Sequence, residues 1–363
     1  MIYNTIHVGT GTPYDVVIGT NILAGAGGMI AENVRGKRAV IVADSNVAPL
    51  YAHRLKSSLA DAGIEAAEFV FPAGEESKTL ETFGRLVEYL AKERLTRTDF
   101  LCALGGGVTG DLVGYAAASY LRGIDFVQIP TSLLAAVDSS VGGKCGVDLE
   151  AGKNLCGAFY QPQLVLFDAD VLQTLPACEF ACGMAEVIKY GVIRDAGFFA
   201  ELEGARGAIS GQALLQAVSR CVEIKADIVS RDEREGGLRR ILNFGHTAAH
   251  AIEKLSGYSA HHGEAVAVGM VLAARYAERG GVTAGAADRI AALVHDFGLP
   301  ASVSECAAMH SLDAAVFAPG AMAEVAASDK KRAGDSVTLI LPKKIGEVIE
   351  QKLPVPRLTE FFE

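Results

Sequence analysis

The apolar positions in the first half of the chain come in short β-branched runs separated by longer stretches of helical spacing. Residues 38–44 (RAVIVAD) read as a buried strand, 65–71 as a second strand, and 99–104 as a third that leads into glycines. Between them, 50–62 and about 78–92 return an apolar residue every three or four positions, as a helix with one face on a core does. Strands alternating with helices of this length predict a parallel sheet covered on both faces.

After Pro176 the period changes. Residues 179–190, 212–230, 238–255, 263–279 and 286–297 all repeat with helical spacing, and one late strand follows at 336–341. The expectation is two domains, an α/β domain over 1–176 and a mainly α-helical domain over 177–363. Length agrees, since 363 residues exceed the ~250 to 300 beyond which a single core rarely grows.

Composition narrows the function. A hydrophobic content of 50% excludes a disordered or fibrous chain, and a formal net charge of -10 disfavours a nucleic-acid surface. Seven cysteines without metal-finger or CxxC spacing read as free thiols in a reducing compartment. No apolar run approaches the ~20 residues that span a bilayer, and residues 1–20 lack a secretory pattern. A cytoplasmic protein with no nucleic-acid or membrane partner is expected.

The candidate chemistry is concentrated in the second half. Four of eight histidines, His246, His250, His261 and His262, fall within one short stretch. His246 and His250 are four apart, so they share a helix face, and Arg239 and Asn243 extend the stripe to earlier turns. A polar stripe on a buried face is costly unless it meets a ligand or partner. Glu186 lies in the apolar helix AEVIKY with Lys189 one turn on. One carboxylate with His246 and His262 supplies three ligands and leaves an open position, as catalytic zinc sites do. Adjacent side chains diverge, so only one of His261 and His262 is a close ligand. His262 is chosen because it opens a helix.

A second signal is Gly105-Gly106-Gly107-Val108-Thr109-Gly110-Asp111, directly after the third strand. Glycines at a strand end followed by a helix N-terminus suit a dinucleotide pyrophosphate, although a tight structural turn uses the same residues. Asp44 and Asn46, at the end of the first strand, fit either ribose or adenine contacts or a turn or cap role. Glu75 and Lys78 fit either a nucleotide or helix capping. VDSSVGGK at 137–144, with Lys153-Asn154 further on, places lysines where an anionic substrate would sit. Lys225, in an apolar helical stretch, and Arg122, before Gly123, are further anion-binding candidates or solvated surface cations.

These stretches together resemble the 3-dehydroquinate synthases. The resemblance runs through ADSN at 43–46, GEESKT at 74–79, GGGVTGD at 105–111, YLRGI at 120–124, QIPTSLLA at 128–135, VDSSVGGK at 137–144 and GKNLCGAFYQP at 152–162. It continues through GMAEVIKYG at 183–191, LNFGHT at 242–247 and HGEAVA at 262–267, covering nearly the whole chain. This sequence departs from the family pattern at Cys145, Cys178, Ala248-Ala249 and His261, none of which is a ligand or an ionisable catalytic group of the family.

The resemblance implies a Rossmann-like NAD-binding α/β domain, a C-terminal α-helical domain with the active site between the two, and a homodimer. It implies one divalent metal, zinc or cobalt, on Glu186, His246 and His262. Substrate and catalytic positions would be Arg122, Asp138, Lys144, Asn154, Lys189, Lys225, Arg239, Asn243 and His250, with either Lys343 or Lys344 from the C-terminal region. Nucleotide contacts would be Asp44, Asn46, Glu75, Lys78, Gly106, Gly107, Val108, Asp111, Thr131 and Ser132, with Lys144 and Lys153 nearby. The implied substrate is a phosphorylated seven-carbon sugar acid, 3-deoxy-D-arabino-heptulosonate 7-phosphate. Transient oxidation at C5 would permit β-elimination of phosphate. Re-reduction, ring opening and aldol closure would then give 3-dehydroquinate.

Overall fold

The chain forms two compact units, Met1–Pro176 with Leu214–Arg234, and Ala177–Ala213 with Glu235–Glu363. The computed structural model describes residues 1–330 and 335–363.

The first unit is built on seven strands: β1 (Ile2–Val8), β2 (Tyr14–Gly19), β3 (Arg38–Asp44), β4 (Glu65–Phe71), β5 (Phe100–Gly105), β6 (Asp125–Pro130) and, after a small hairpin, β9 (Leu164–Asp168). Their order across the sheet is β1-β2-β9-β6-β5-β3-β4. Only the β1–β2 pair is antiparallel. The runs read as strands at 38–44 and 65–71 have those limits, and the third ends one residue later, at Gly105. β5 is buried at every position, which is why it reads as an unbroken apolar run.

Helices α1 (Ala26–Asn33), α2 (His53–Asp61), α3 (Leu80–Lys92) and α4 (Gly107–Ser119) connect the strands. Phe69, Phe71, Leu86, Leu90, Leu112, Val113 and Phe126 are buried in one core between sheet and helices. The small hairpin, β7 (Lys144–Leu149) with β8 (Gly152–Phe159), packs on α4.

The winding of this sheet locates a site. β4 lies on one side of β3 and β5 on the other, so the order reverses between β3 and β5. Ligands of doubly wound sheets bind outside the carboxyl ends of the strands at such a switch point. Here those ends are Asp44 and the Gly105-Gly106-Gly107 turn.

Residues 214–234, which a division at 176 assigns to the helical half, group with the sheet unit. They belong to α7 (Gly211–Arg231) and its end. Gly9 N–H donates to Ser230 Oγ, Gly11 N–H to Glu233, and Gln161 Nε2 to the other Glu233 oxygen. Long-range hydrogen bonds of this kind leave no trace in local periodicity.

The second unit holds α5 (Ala177–Arg194), α6 (Ala196–Ala205), α8 (His246–Leu255), α9 (His262–Arg279), α10 (Ala286–Asp296), α11 (Val303–Met309), α12 (Pro319–Lys330) and α13 (Thr359–Phe362). An antiparallel hairpin, β10 (Ser336–Lys344) with β11 (Glu347–Pro354), is its strand element. The single helix expected over 238–255 is two elements. A 3₁₀ helix spans Leu238–Asn243, and α8 begins at His246 after a break at Phe244-Gly245. Gly245 is left-handed at φ 81°, and a Cβ on Gly269 of α9 would lie 2.1 Å from the Gly245 carbonyl oxygen. Close approach of α9 therefore requires glycine at 269, and the left-handed backbone at 245 favours glycine there. Arg239 and Asn243 thus precede the helix that carries His246 and His250.

α5 and α9 meet as closely. A Cβ on Gly263 would stand 2.3 Å from the Cys182 Cα. Gly263→Ala is expected to lower unfolding free energy by about 1–3 kcal/mol through overpacking. The reading is a lower denaturant midpoint at unchanged m-value, and an unchanged midpoint would mean that α5 retreats from α9 freely.

Candidate metal centre and nucleotide-binding turn

In the second unit, Glu186 stands at the centre of α5 with an exposure of 0%. An ionised carboxylate there requires compensation. Lys189, one turn on, ion-pairs with Oε2. His246, the first residue of α8, brings Nε2 to 3.8 Å from Oε1, and His262, the first of α9, brings Nε2 to 3.4 Å from the same oxygen. The donor atoms of Glu186, His246 and His262 all lie within 4.8 Å of one another.

Each imidazole is held from behind. His246 Nδ1 is 3.0 Å from the Phe244 carbonyl oxygen. Donation from Nδ1–H assigns the tautomer and turns the Nε2 lone pair toward Glu186. His262 Nδ1 is 3.5 Å from Glu253 Oε1. Burial and then the Lys189 charge push His246 down to about 3. Burial also opposes a charge on His262, but contacts with Glu186 and Glu253 outweigh it and hold that imidazole up at about 10. The cluster therefore keeps a positive charge between two carboxylates. A divalent ion is the alternative occupant of that place, and one oxygen with two imidazole nitrogens is a zinc-type set with an open position. The residues fit the metal.

Glu253 escaped the sequence reading. It lies at 3% exposure on α8, seven residues after His246, so its spacing on the His246–His250 face was the available signal. His250 is exposed, with its ring centroid 5.9 Å from that of His246. Arg239 is 2% exposed, and Asn243 Nδ2 donates to Glu235 Oε1 at 2.7 Å. His261 turns away from the trio, with its Nδ1 3.4 Å from Glu264. Lys343 and Lys344 both pair with Glu347 in the β10–β11 hairpin, which does not separate them.

In the first unit the glycine turn closes on its own helix. A Cβ on Gly105 would lie 2.3 Å from Thr109 Oγ1, and one on Gly107 would lie 3.2 Å from Ser139 Oγ. α4 starts at Gly107 with no acidic residue in its first turn and no side-chain cap from Gly106. Backbone N–H groups around Gly107 and Val108, with the positive end of the helix dipole, form an anion seat that fits a pyrophosphate. Thr131 N–H bonds to the Gly105 carbonyl, and Ser132 lies beside Gly106.

Lys78, 4% exposed, links two of the other predicted nucleotide contacts, Asp111 and Glu75, to Asn154, a predicted substrate residue. Its Nζ meets Asp111 at 2.7 Å, Asn154 Oδ1 at 2.6 Å and Glu75 at 3.9 Å. Burial opposes its charge, but Asp111 and Glu75 hold the ammonium above its ordinary range. Lys153 reaches Glu75 at 3.6 Å, and Asn154 N–H donates to Asp148, a second residue that sequence reasoning missed. Asp44 caps its own turn, accepting from the N–H groups of Asn46 and Val47. Lys225 pairs with Asp138 at 2.9 Å, so it is no solvated surface cation. Lys144 and Arg122 are exposed.

Fold and donor set together define a protein that joins a doubly wound nucleotide-binding sheet to a helical unit with a buried Glu/His/His metal cluster. Residues 68–182 match the 3-dehydroquinate synthase N-terminal family and 183–332 the 3-dehydroquinate synthase C-terminal family. The chain belongs to the 3-dehydroquinate synthase family. It is 46% identical over 350 residues to a 3-dehydroquinate synthase of Desulforamulus reducens, covering 95% of each chain. Among solved structures it resembles a 2-epi-5-epi-valiolone synthase from Streptomyces hygroscopicus subsp. jinggangensis, with NAD+ and Zn2+ bound, at TM-score 0.85 and 30% identity over 96% of this chain and 94% of that one. A 2-deoxy-scyllo-inosose synthase complexed with carbaglucose-6-phosphate, NAD+ and Co2+ is similar at TM-score 0.85 and 25% identity over 99% of each.

Two predictions follow from the cluster. Glu253→Gln removes the carboxylate behind His262 and is expected to weaken zinc binding about 10- to 100-fold, measured by chelator competition. Unchanged affinity would remove Glu253 from the site. Because a ligand must be neutral, and His262 is held up at about 10, zinc must displace its proton at neutral pH. Calorimetry in buffers of differing ionisation enthalpy should find about one proton released per zinc. Apparent affinity should rise about tenfold per pH unit up to that value and fall toward acid. A flat profile would place the ion elsewhere.

Proposed function

We propose that this protein is a 3-dehydroquinate synthase, converting 3-deoxy-D-arabino-heptulosonate 7-phosphate to 3-dehydroquinate and phosphate. The observation that carries the reading is the assembly of Glu186, His246 and His262 around one point, in a chain whose family match spans most of its length. Glu186, His246 and His262 hold one zinc or cobalt ion. The Gly106-Gly107-Val108 turn, with Asp44, Asn46, Glu75, Lys78, Asp111, Thr131, Ser132 and Lys153, holds NAD. When bound, NAD supplies a reversible hydride acceptor and the ion a Lewis acid at the C5 oxygen.

The chain's own residues bind, orient and move protons. Arg239, a buried guanidinium, suits the C1 carboxylate, and Asn243 hydrogen-bonds beside it. Lys144 and Asn154 orient the phosphate, whose own oxygen takes the C6 proton as it leaves. Positioning rather than a strong protein base then carries that step. Lys189, fixed by Glu186, steadies negative charge at the C5 oxygen, and His250 shuttles its proton. Lys225 keeps Asp138 in place at 2.9 Å. Arg122 reaches the phosphate in the neighbouring subunit of a homodimer. Leu121 and Arg122 are consecutive left-handed non-glycine residues at φ 50° and 68°, and such strain clusters at functional sites. The enzyme works in the cytoplasm.

A second reading, a cyclase acting on a seven-carbon phosphate without the carboxylate, draws on the likeness to the valiolone synthase. Arg239 favours the acid substrate. The test is phosphate release by metal-loaded enzyme with catalytic NAD while NADH absorbance is followed. Phosphate released over many turnovers with no net NADH, and 3-dehydroquinate as product, is expected. NADH accumulating without phosphate would make the protein an ordinary polyol dehydrogenase, and turnover only of the non-acid phosphate would establish the second reading.

A further inference from the structure

His261 does more than diverge from His262. It brings its ring to a second set of donors, in which the ligand atoms of Cys182, His261 and Glu264 lie within the same 4.8 Å limit as those of the first trio. Two backbone relations produce the two sets. Cys182 lies one turn before Glu186 on α5, and His261 directly precedes His262 at the start of α9. Gly263 packs on the Cys182 backbone between them, so the close helix crossing separates one set from the other.

We propose that Cys182, His261 and Glu264 form a second metal site, for a borderline-soft divalent ion such as zinc or cobalt. The donor set decides the class of ion. A thiolate and an imidazole suit zinc and cobalt, whereas magnesium and calcium seek oxygen ligands. The Glu264 carboxylate is already oriented. Its Oε2 accepts from the His261 N–H at 2.8 Å and faces His310 Nε2 at 2.7 Å. That leaves Oε1 toward His261 Nδ1, at 3.4 Å. A carboxylate fixed through its far oxygen is the outer support that metal ligands require. Cys182 and Glu264 are buried, while the His261 side chain is 47% exposed and gives an ion access from solvent. Coordination breaks the Cys182 S–H bond, forms a sulfur–metal bond and releases the proton to solvent, with no change of oxidation state. An ion there would tie α5 to the start of α9 beside His262.

A purely structural account, a capping carboxylate beside a buried thiol, needs no ion, and cobalt(II) separates the two. Glu186, His246 and His262 contain no sulfur, so a thiolate-to-cobalt charge-transfer band in the near ultraviolet reports on a cysteine alone. Titration of the metal-free, full-length protein is expected to show two cobalt ions per chain, one of them accompanied by that band. Cys182→Ala and His261→Ser should each abolish the band and lower the stoichiometry to one, leaving the other ion and the enzyme activity in place. His261→Ser changes a half-exposed helix-cap position to a good capping residue, so it decides the matter if Cys182→Ala does not fold. A single ion without the band overturns the proposal. So does a band that survives both substitutions, which would come from another thiol such as the exposed Cys178. None of these readings needs substrate, so failure of the proposed activity and failure of this site are distinguishable.

Discussion

A carboxylate at the centre of an apolar helix organises the second unit. Removing an ion from water carries a penalty of several kcal/mol that only close opposite charge and good hydrogen bonding return. Glu186, at 0% exposure, meets that condition with Lys189 on its own helix and with imidazoles from the first residues of α8 and α9. Three helices must therefore converge on one point. The glycines at 245, 263 and 269 let their backbones come close enough, since any side chain at 263 or 269 would strike the facing main chain.

That convergence sets the electrostatics as well. Of two imidazoles sharing one carboxylate oxygen, the one backed by a second carboxylate carries the proton and the one backed by a carbonyl and facing Lys189 does not. The Phe244 carbonyl is free to serve because the chain breaks its helix at Phe244-Gly245. Fold irregularity and ligand orientation are here one feature: a continuous helix would have spent that carbonyl on an internal hydrogen bond.

The first unit poses a different problem, how an anion could be seated on a protein of net charge -10. Its answer is local. Backbone N–H groups and a helix dipole at the glycine turn carry partial positive charge. Three lysines of this unit are ion-paired, Lys78 with Asp111 and Glu75, Lys153 with Glu75, and Lys225 with Asp138. Overall acidity is thus no obstacle to binding phosphates.

Much of this was written in the residues themselves. The strand at 38–44 was readable because burial on both faces leaves a nearly continuous apolar run, whereas 65–71, the edge strand, buries only Phe69 and Phe71. The helices that carry Glu186, Lys225 and His262 were readable from their period. The metal trio could be chosen from residue type and spacing, because a buried carboxylate and clustered histidines have few other uses. Tertiary structure alone decided the rest. It broke the helix before His246, moved 214–234 into the sheet unit, and enlisted Glu253 and Asp148 as partners. It also set His261 with Cys182, a residue 79 positions away. Periodicity records which face of an element is buried. Which distant group that face meets depends on close approaches between backbones, and those leave at most a glycine in the sequence.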